Sequence, residues 1–150
     1  MNRLFLLIAG AAGVVALTAS GTMARTAPRR LEPTRTVWDS VYTDSQAASG
    51  DSLYKVNCVK CHGPTLGGVD DGSPLVGAAF LSDWNGQTLA DLHDRVRTTM
   101  PPDNPKSIPR DQVTTILAYL LAQNHFPSGH RLLVDDPDSL RDVKILSSKP

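Results

Sequence analysis

The chain has 150 residues, a length that favours one domain. Fifteen Lys and Arg balance fifteen Asp and Glu, so the strong basic excess of a nucleic-acid binder is excluded. Aromatic residues make up only 5% of the chain, which predicts a modest core unless something other than side chains fills it.

The first segment reads as an export signal and is set apart from the fold. Arg3 supplies a positive start and Leu4 to Leu17 run apolar or small. Small residues Thr22 and Ala24 then predict cleavage after Ala24, giving a signal peptide over 1–24. The alternative, a retained membrane anchor, needs roughly 20 apolar residues. The expected setting is therefore the periplasm of a bacterium. Residues 25–42 read as an irregular basic arm: Pro28 and Pro33 break helix, and Arg25, Arg29, Arg30 and Arg35 carry the charge. A solvated, flexible leader is the expectation, and electrostatic contact with an acidic partner is the alternative.

A first helix is predicted from Thr43. The run Thr43-Asp44-Ser45-Gln46 has capping-box form, and Ala47, Gly50, Tyr54 and Cys58 recur on one face. Gly50 in mid-helix costs about 1 kcal/mol relative to Ala, which implies close approach by another helix. Residues 63–86 are punctuated by glycine and proline and read as a long loop wrapped around something. A short helical turn is expected near Ala78 to Leu81. A second helix starts at Thr88, where Asp91 completes another capping box, and stops at Met100 before Pro101-Pro102. Leu89, Leu92 and Val96 mark its buried face. A third helix starts near Pro109 and shows the clearest amphipathic pattern, Val113, Ile116, Leu117, Leu120 and Leu121. Residues 130–150 form a mixed-charge extension whose Leu132, Leu133, Val134, Val143, Ile145 and Leu146 predict partial packing on the domain over 43–129.

The chemistry centres on Cys58-Val59-Lys60-Cys61-His62, a C-x-x-C-H signature for covalent haem c attachment. Two thiols one turn apart reach two vinyl groups on one edge of a porphyrin, and the adjacent His62 is carried under the iron. A disulfide and a zinc site are the competing readings. A redox C-x-x-C usually accompanies a βαβ pattern, which this chain does not display. Structural zinc usually takes four protein ligands, and the neighbours Cys61 and His62 cannot easily share one metal. With Met1 and Met23 in the signal peptide, Met100 is the remaining methionine. A thioether there would complete His/Met ligation, which suits electron transfer. The alternatives for the sixth position are a core-filling role for Met100 and ligation by His93, His125 or His130. His93 is expected to be solvated among charged residues, and His125 and His130 to be surface groups.

On these residues the chain resembles the class I c-type cytochromes. The resemblance spans about residues 43–126 and rests on Cys58-Val59-Lys60-Cys61-His62, Thr99-Met100-Pro101 and Ile116-Leu117-Ala118-Tyr119-Leu120. It implies an all-α fold of three main helices around one covalent haem c, with the first and last crossing at Gly50, Tyr54 and Tyr119. It further implies that the Pro74 carbonyl accepts the His62 ring N–H and that Trp84 bonds a haem propionate. The stretch from Phe80 and Trp84 to Pro102 is similar to cytochromes serving periplasmic dehydrogenases.

The resemblance implies an electron carrier rather than an enzyme. Its expected partners are a donor dehydrogenase and an acceptor oxidase or reaction centre, with residues 25–42 and 130–150 available for docking on a membrane complex. Two alternatives stand beside it: a haem enzyme or gas sensor with a displaceable sixth ligand, and a structural subunit of a redox complex.

Overall fold

The computed structural model describes residues 34–70 and 72–150. The expected signal peptide and residues 25–33 of the expected arm lie outside the described residues. Elements follow in the order β1 (Arg35–Thr36), α1 (Asp44–Asn57), α2 (Val59–His62), α3 (Gly77–Trp84), α4 (Leu89–Thr99), α5 (Arg110–Gln123), α6 (Pro137–Arg141) and β2 (Val143–Lys144). α1, α4 and α5 are the main helices, the mostly helical arrangement that the resemblance implies.

Helix α1 starts where its cap predicts: the Thr43 hydroxyl accepts from the Gln46 N–H at 3.2 Å. The reciprocal half of the box is absent. The Gln46 side chain instead donates to the Leu133 carbonyl at 2.7 Å and accepts from the Leu133 N–H at 2.9 Å. A buried backbone amide pair in the extension thus takes the side chain that local sequence assigns to the cap. At Thr88 both halves of the capping box form, and α4 begins there.

Helices α1 and α5 cross at Gly50. A β-carbon there would lie 2.3 Å from the Thr115 carbonyl oxygen and 2.8 Å from the Tyr119 β-carbon. The Tyr54 and Tyr119 rings pack 5.3 Å apart beside this crossing. The helical cost of glycine is offset by a closer interface. Val113, Ile116, Leu117, Leu120 and Leu121 of α5 are all buried, as their spacing predicts.

Three sequence expectations are corrected. First, residues 34–42 are not a solvated leader: Val37, Val41 and Tyr42 are core residues, and the Tyr42 hydroxyl donates to the Phe126 carbonyl at 2.6 Å. Arg35 pairs with Asp142 at 3.0 Å, and β1 lies parallel to β2 with Arg35 opposite Val143. Second, α3 extends to Trp84 rather than making one turn. Third, His93 is 1% exposed. Its Nε2 lies 3.1 Å from the Arg110 carbonyl, and Asp135 from the extension sits 3.7 Å away. The extension closes over the helix face that local charge marks as wet. His125 and His130 are exposed, as expected.

The extension packs back through Leu133, Leu140, Val143 and Ile145, while Leu132 and Val134 on either side of Leu133 are exposed. Among the described residues no helix is long and apolar enough to cross a membrane.

Candidate functional site

The C-x-x-C-H motif forms a single helical turn at the end of α1. The Cys61 and His62 N–H groups both donate to the Cys58 carbonyl, at 3.2 and 3.0 Å, and Gly63 ends the turn at φ 72°. Cys58 and Cys61 are therefore three residues apart on a helix and share a face. Both are free thiols. Burial pushes the Cys58 thiol up to about 11, with the neighbouring Cys61 adding to the shift, so it stays protonated near neutral pH.

The following loop folds back to satisfy the turn. The Gly68 N–H donates to the His62 carbonyl and the Val69 N–H to the Cys61 carbonyl, each at 3.0 Å. The Tyr54 hydroxyl donates to the Gly63 carbonyl at 2.6 Å. Gly72 passes so close that a β-carbon would sit 1.9 Å from the Cys61 oxygen, so only glycine fits.

His62 is 8% exposed and its Nδ1 lies 2.8 Å from the Ser73 carbonyl. A carbonyl only accepts, so Nδ1 carries the proton and Nε2 keeps its lone pair for a metal. Sequence resemblance puts this bond on Pro74, one residue later. Carbonyls alternate sides along extended backbone, and the residue before a proline is held extended, which directs the Ser73 carbonyl to the imidazole. Pro74 lines the cavity instead.

That cavity has a volume of about 580 Å³, within the range of cofactor sites. Cys58, Cys61, His62, Pro74, Trp84 and Met100 all line it, so every sequence-predicted site residue reaches one space. Met100 is the C-cap of α4, its N–H donating to the Val96 carbonyl at 2.9 Å. Leu92 and Val96 of α4 and Ile116 and Leu120 of α5 supply apolar wall, and Arg95, Gln87 and Asp83 stand on the polar rim. His93 lines none of it. An imidazole nitrogen, a thioether, two free thiols one turn apart and apolar walls make a donor set that fits haem c. Among the described residues no three His, Cys, Asp or Glu side chains gather to hold a metal ion.

Nothing in the local sequence marks Asn124 as a site residue. Its amide donates to the Leu75 carbonyl at 2.9 Å and its oxygen accepts from the Gly77 N–H at 3.1 Å, so the end of α5 pins the entry to α3. A polar residue after a helix reads from sequence only as a C-cap.

The family model described as cytochrome C oxidase, cbb3-type, subunit III matches residues 45–120. Among solved structures, the sulfane dehydrogenase SoxCD from Paracoccus pantotrophus is similar at 21% identity, with 80% of this chain and 68% of that chain covered and a TM-score of 0.49. No curated protein matches the chain.

Proposed function

The chain belongs to the cytochrome c oxidase, cbb3-type, subunit III family, and on that premise we propose that it moves single electrons through one haem c held covalently by Cys58 and Cys61. Electron transfer by haem c, within a redox complex, is the function of the domain. The observation that carries the finer reading is the convergence of His62, Met100 and both thiols on one apolar cavity.

Haem c supplies the one-electron Fe(II)/Fe(III) couple. The chain's residues do the rest. Cys58 and Cys61 offer thiols to a ring edge. His62 offers Nε2 to iron, its tautomer and orientation held by the Ser73 carbonyl. Met100 offers its thioether from a backbone position anchored at the end of α4, and a His/Met pair raises the reduction potential. Leu92, Val96, Ile116 and Leu120 keep water out. The indole N–H of Trp84 is assigned to a propionate. The setting proposed is the bacterial periplasm, supported by the charged start and apolar run of residues 1–24. The partners proposed are a donor dehydrogenase and the oxidase of a membrane complex.

The test is spectroscopic. The ferric protein should show a sulfur-to-iron charge-transfer band, and the ferrous protein should not bind carbon monoxide. Met100→Ala should keep haem attached on a denaturing gel, lose the band, bind carbon monoxide and fall in potential. An unchanged Met100→Ala spectrum would overturn the assignment.

A further inference from the structure

The segment following β2 is stitched to the turn that closes one wall of the cavity. Residues Trp84 to Gln87 make a β-turn in which the Gln87 N–H donates to the Trp84 carbonyl at 3.1 Å. Asn85 at φ −57°, ψ 126° and Gly86 at φ 84° have the dihedrals of a type II turn, which favours glycine at its third position. The turn leaves the Gly86 N–H and the Gln87 carbonyl pointing outward, and Ile145 takes both. Its carbonyl accepts from Gly86 and its N–H donates to Gln87, each at 2.8 Å. The Ser147 N–H adds a bond to the Asn85 side chain at 2.9 Å. The Ile145 side chain is 1% exposed, so its backbone is fixed from below. On its other side the segment is held by the N-terminal residues: the Val37 N–H donates to the Lys144 carbonyl and the Trp38 indole to the Leu146 carbonyl, each at 3.0 Å.

Trp84 and Gln87 line the cavity from this turn, and α4, whose C-cap is Met100, starts two residues beyond it. The geometry points to residues 144–147 as a positioning strap. They hold the α3–α4 turn, and through it Trp84 and Gln87, against the haem site, keeping the sixth position closed to outside ligands. This use of the extension rests on the cavity being the haem site. It gives residues 34–38 and 144–147 a role in the site itself rather than in docking.

The experiment compares full-length haem-loaded protein with a chain ending at Lys144 and with Asn85→Ala, which removes only the Ser147 bond. Imidazole affinity of the ferric iron, the sulfur-to-iron band and the potential are read. Ala48→Gly, on an exposed position of α1 away from the strap, controls for lost stability alone. Ending the chain at Lys144, which removes the Ile145 bonds with its buried side chain and the Leu146 and Ser147 bonds, should raise imidazole affinity on the order of ten-fold, and Asn85→Ala about two-fold or more, with Ala48→Gly unchanged. If the shortened chain does not fold, Asn85→Ala decides. Wild-type affinity in the strap variants, or an equal rise in Ala48→Gly, would overturn the strap while leaving the haem site intact. A wild-type protein without the sulfur band would overturn the reading of the site and the strap with it.

Discussion

Gly50→Ala sets two effects of opposite sign against each other. On an isolated helix the substitution stabilises by about 0.5–1 kcal/mol, because glycine loses more backbone entropy than alanine. In the folded protein the new β-carbon falls 2.3 Å from the Thr115 carbonyl oxygen and 2.8 Å from the Tyr119 β-carbon, where ordinary contact begins at 3.4 Å. The nearer atom is backbone in mid-helix and cannot rotate away, so α1 and α5 must part by about 1 Å. A gap of that size forfeits roughly a quarter to a half of the dispersion energy of each atom pair it opens. Overpacking of this kind costs about 1–3 kcal/mol, and a rigid backbone neighbour places it at the upper end. The net expectation is a loss of about 2 kcal/mol. The assay is urea unfolding of the haem-loaded protein, where a slope of about 2 kcal/mol/M turns that loss into a midpoint drop of about 1 M. Adding Tyr119→Ala should not rescue it, because alanine keeps the β-carbon that touches. A midpoint at or above that of the wild type with an unchanged slope would refute the argument, and rescue by Tyr119→Ala would place the clash on the ring instead.

Gln46→Leu strands both buried backbone groups of Leu133 and should cost roughly 2–4 kcal/mol in the same assay; a loss below 1 kcal/mol would mean that water replaces the amide. Tyr54→Phe removes the shorter of two bonds to the Gly63 carbonyl, which keeps the Leu66 N–H at 3.3 Å, and should cost about 1 kcal/mol without loss of attached haem. The Asp142 carboxyl is held down to about 2 by hydrogen bonds from Thr34 and then Arg35. A depressed carboxylate stabilises above its unfolded value and loses that contribution as pH falls through its folded value. Asp142→Asn should therefore lower the unfolding midpoint above about pH 4, and the difference from wild type should vanish as pH approaches 2; a difference that persisted there would assign the effect to shape rather than charge.

The corrected features share a cause. Thr43, Thr88 and the α5 apolar pattern are local, resting on contacts three or four residues apart, and they are legible in order along the chain. Gly50 is legible for a different reason: a costly residue in a helix implies a neighbour, although it does not say which. His93 is illegible because the groups that cover it, Arg110 and Asp135, come from distant parts of the chain, and its own neighbours are charged. The shift from Pro74 to Ser73 is a matter of one residue in an extended segment, where carbonyl direction alternates and spacing alone cannot choose.

By itself, then, the sequence determined the C-x-x-C-H turn and the order of the main helices, and it singled out Met100 as a candidate, because thiol spacing, caps and apolar periodicity act within a few residues. Only the tertiary structure decided what residues 34–42 and 130–147 do. Their pairing joins Arg35 to Asp142 and Val37 to Lys144 across more than 100 residues, through two-residue strands too short to leave an alternating pattern. Backbone hydrogen bonds of that kind carry no side-chain signature, so nothing in the amino-acid order announces that residues 35–38 and 142–146 meet.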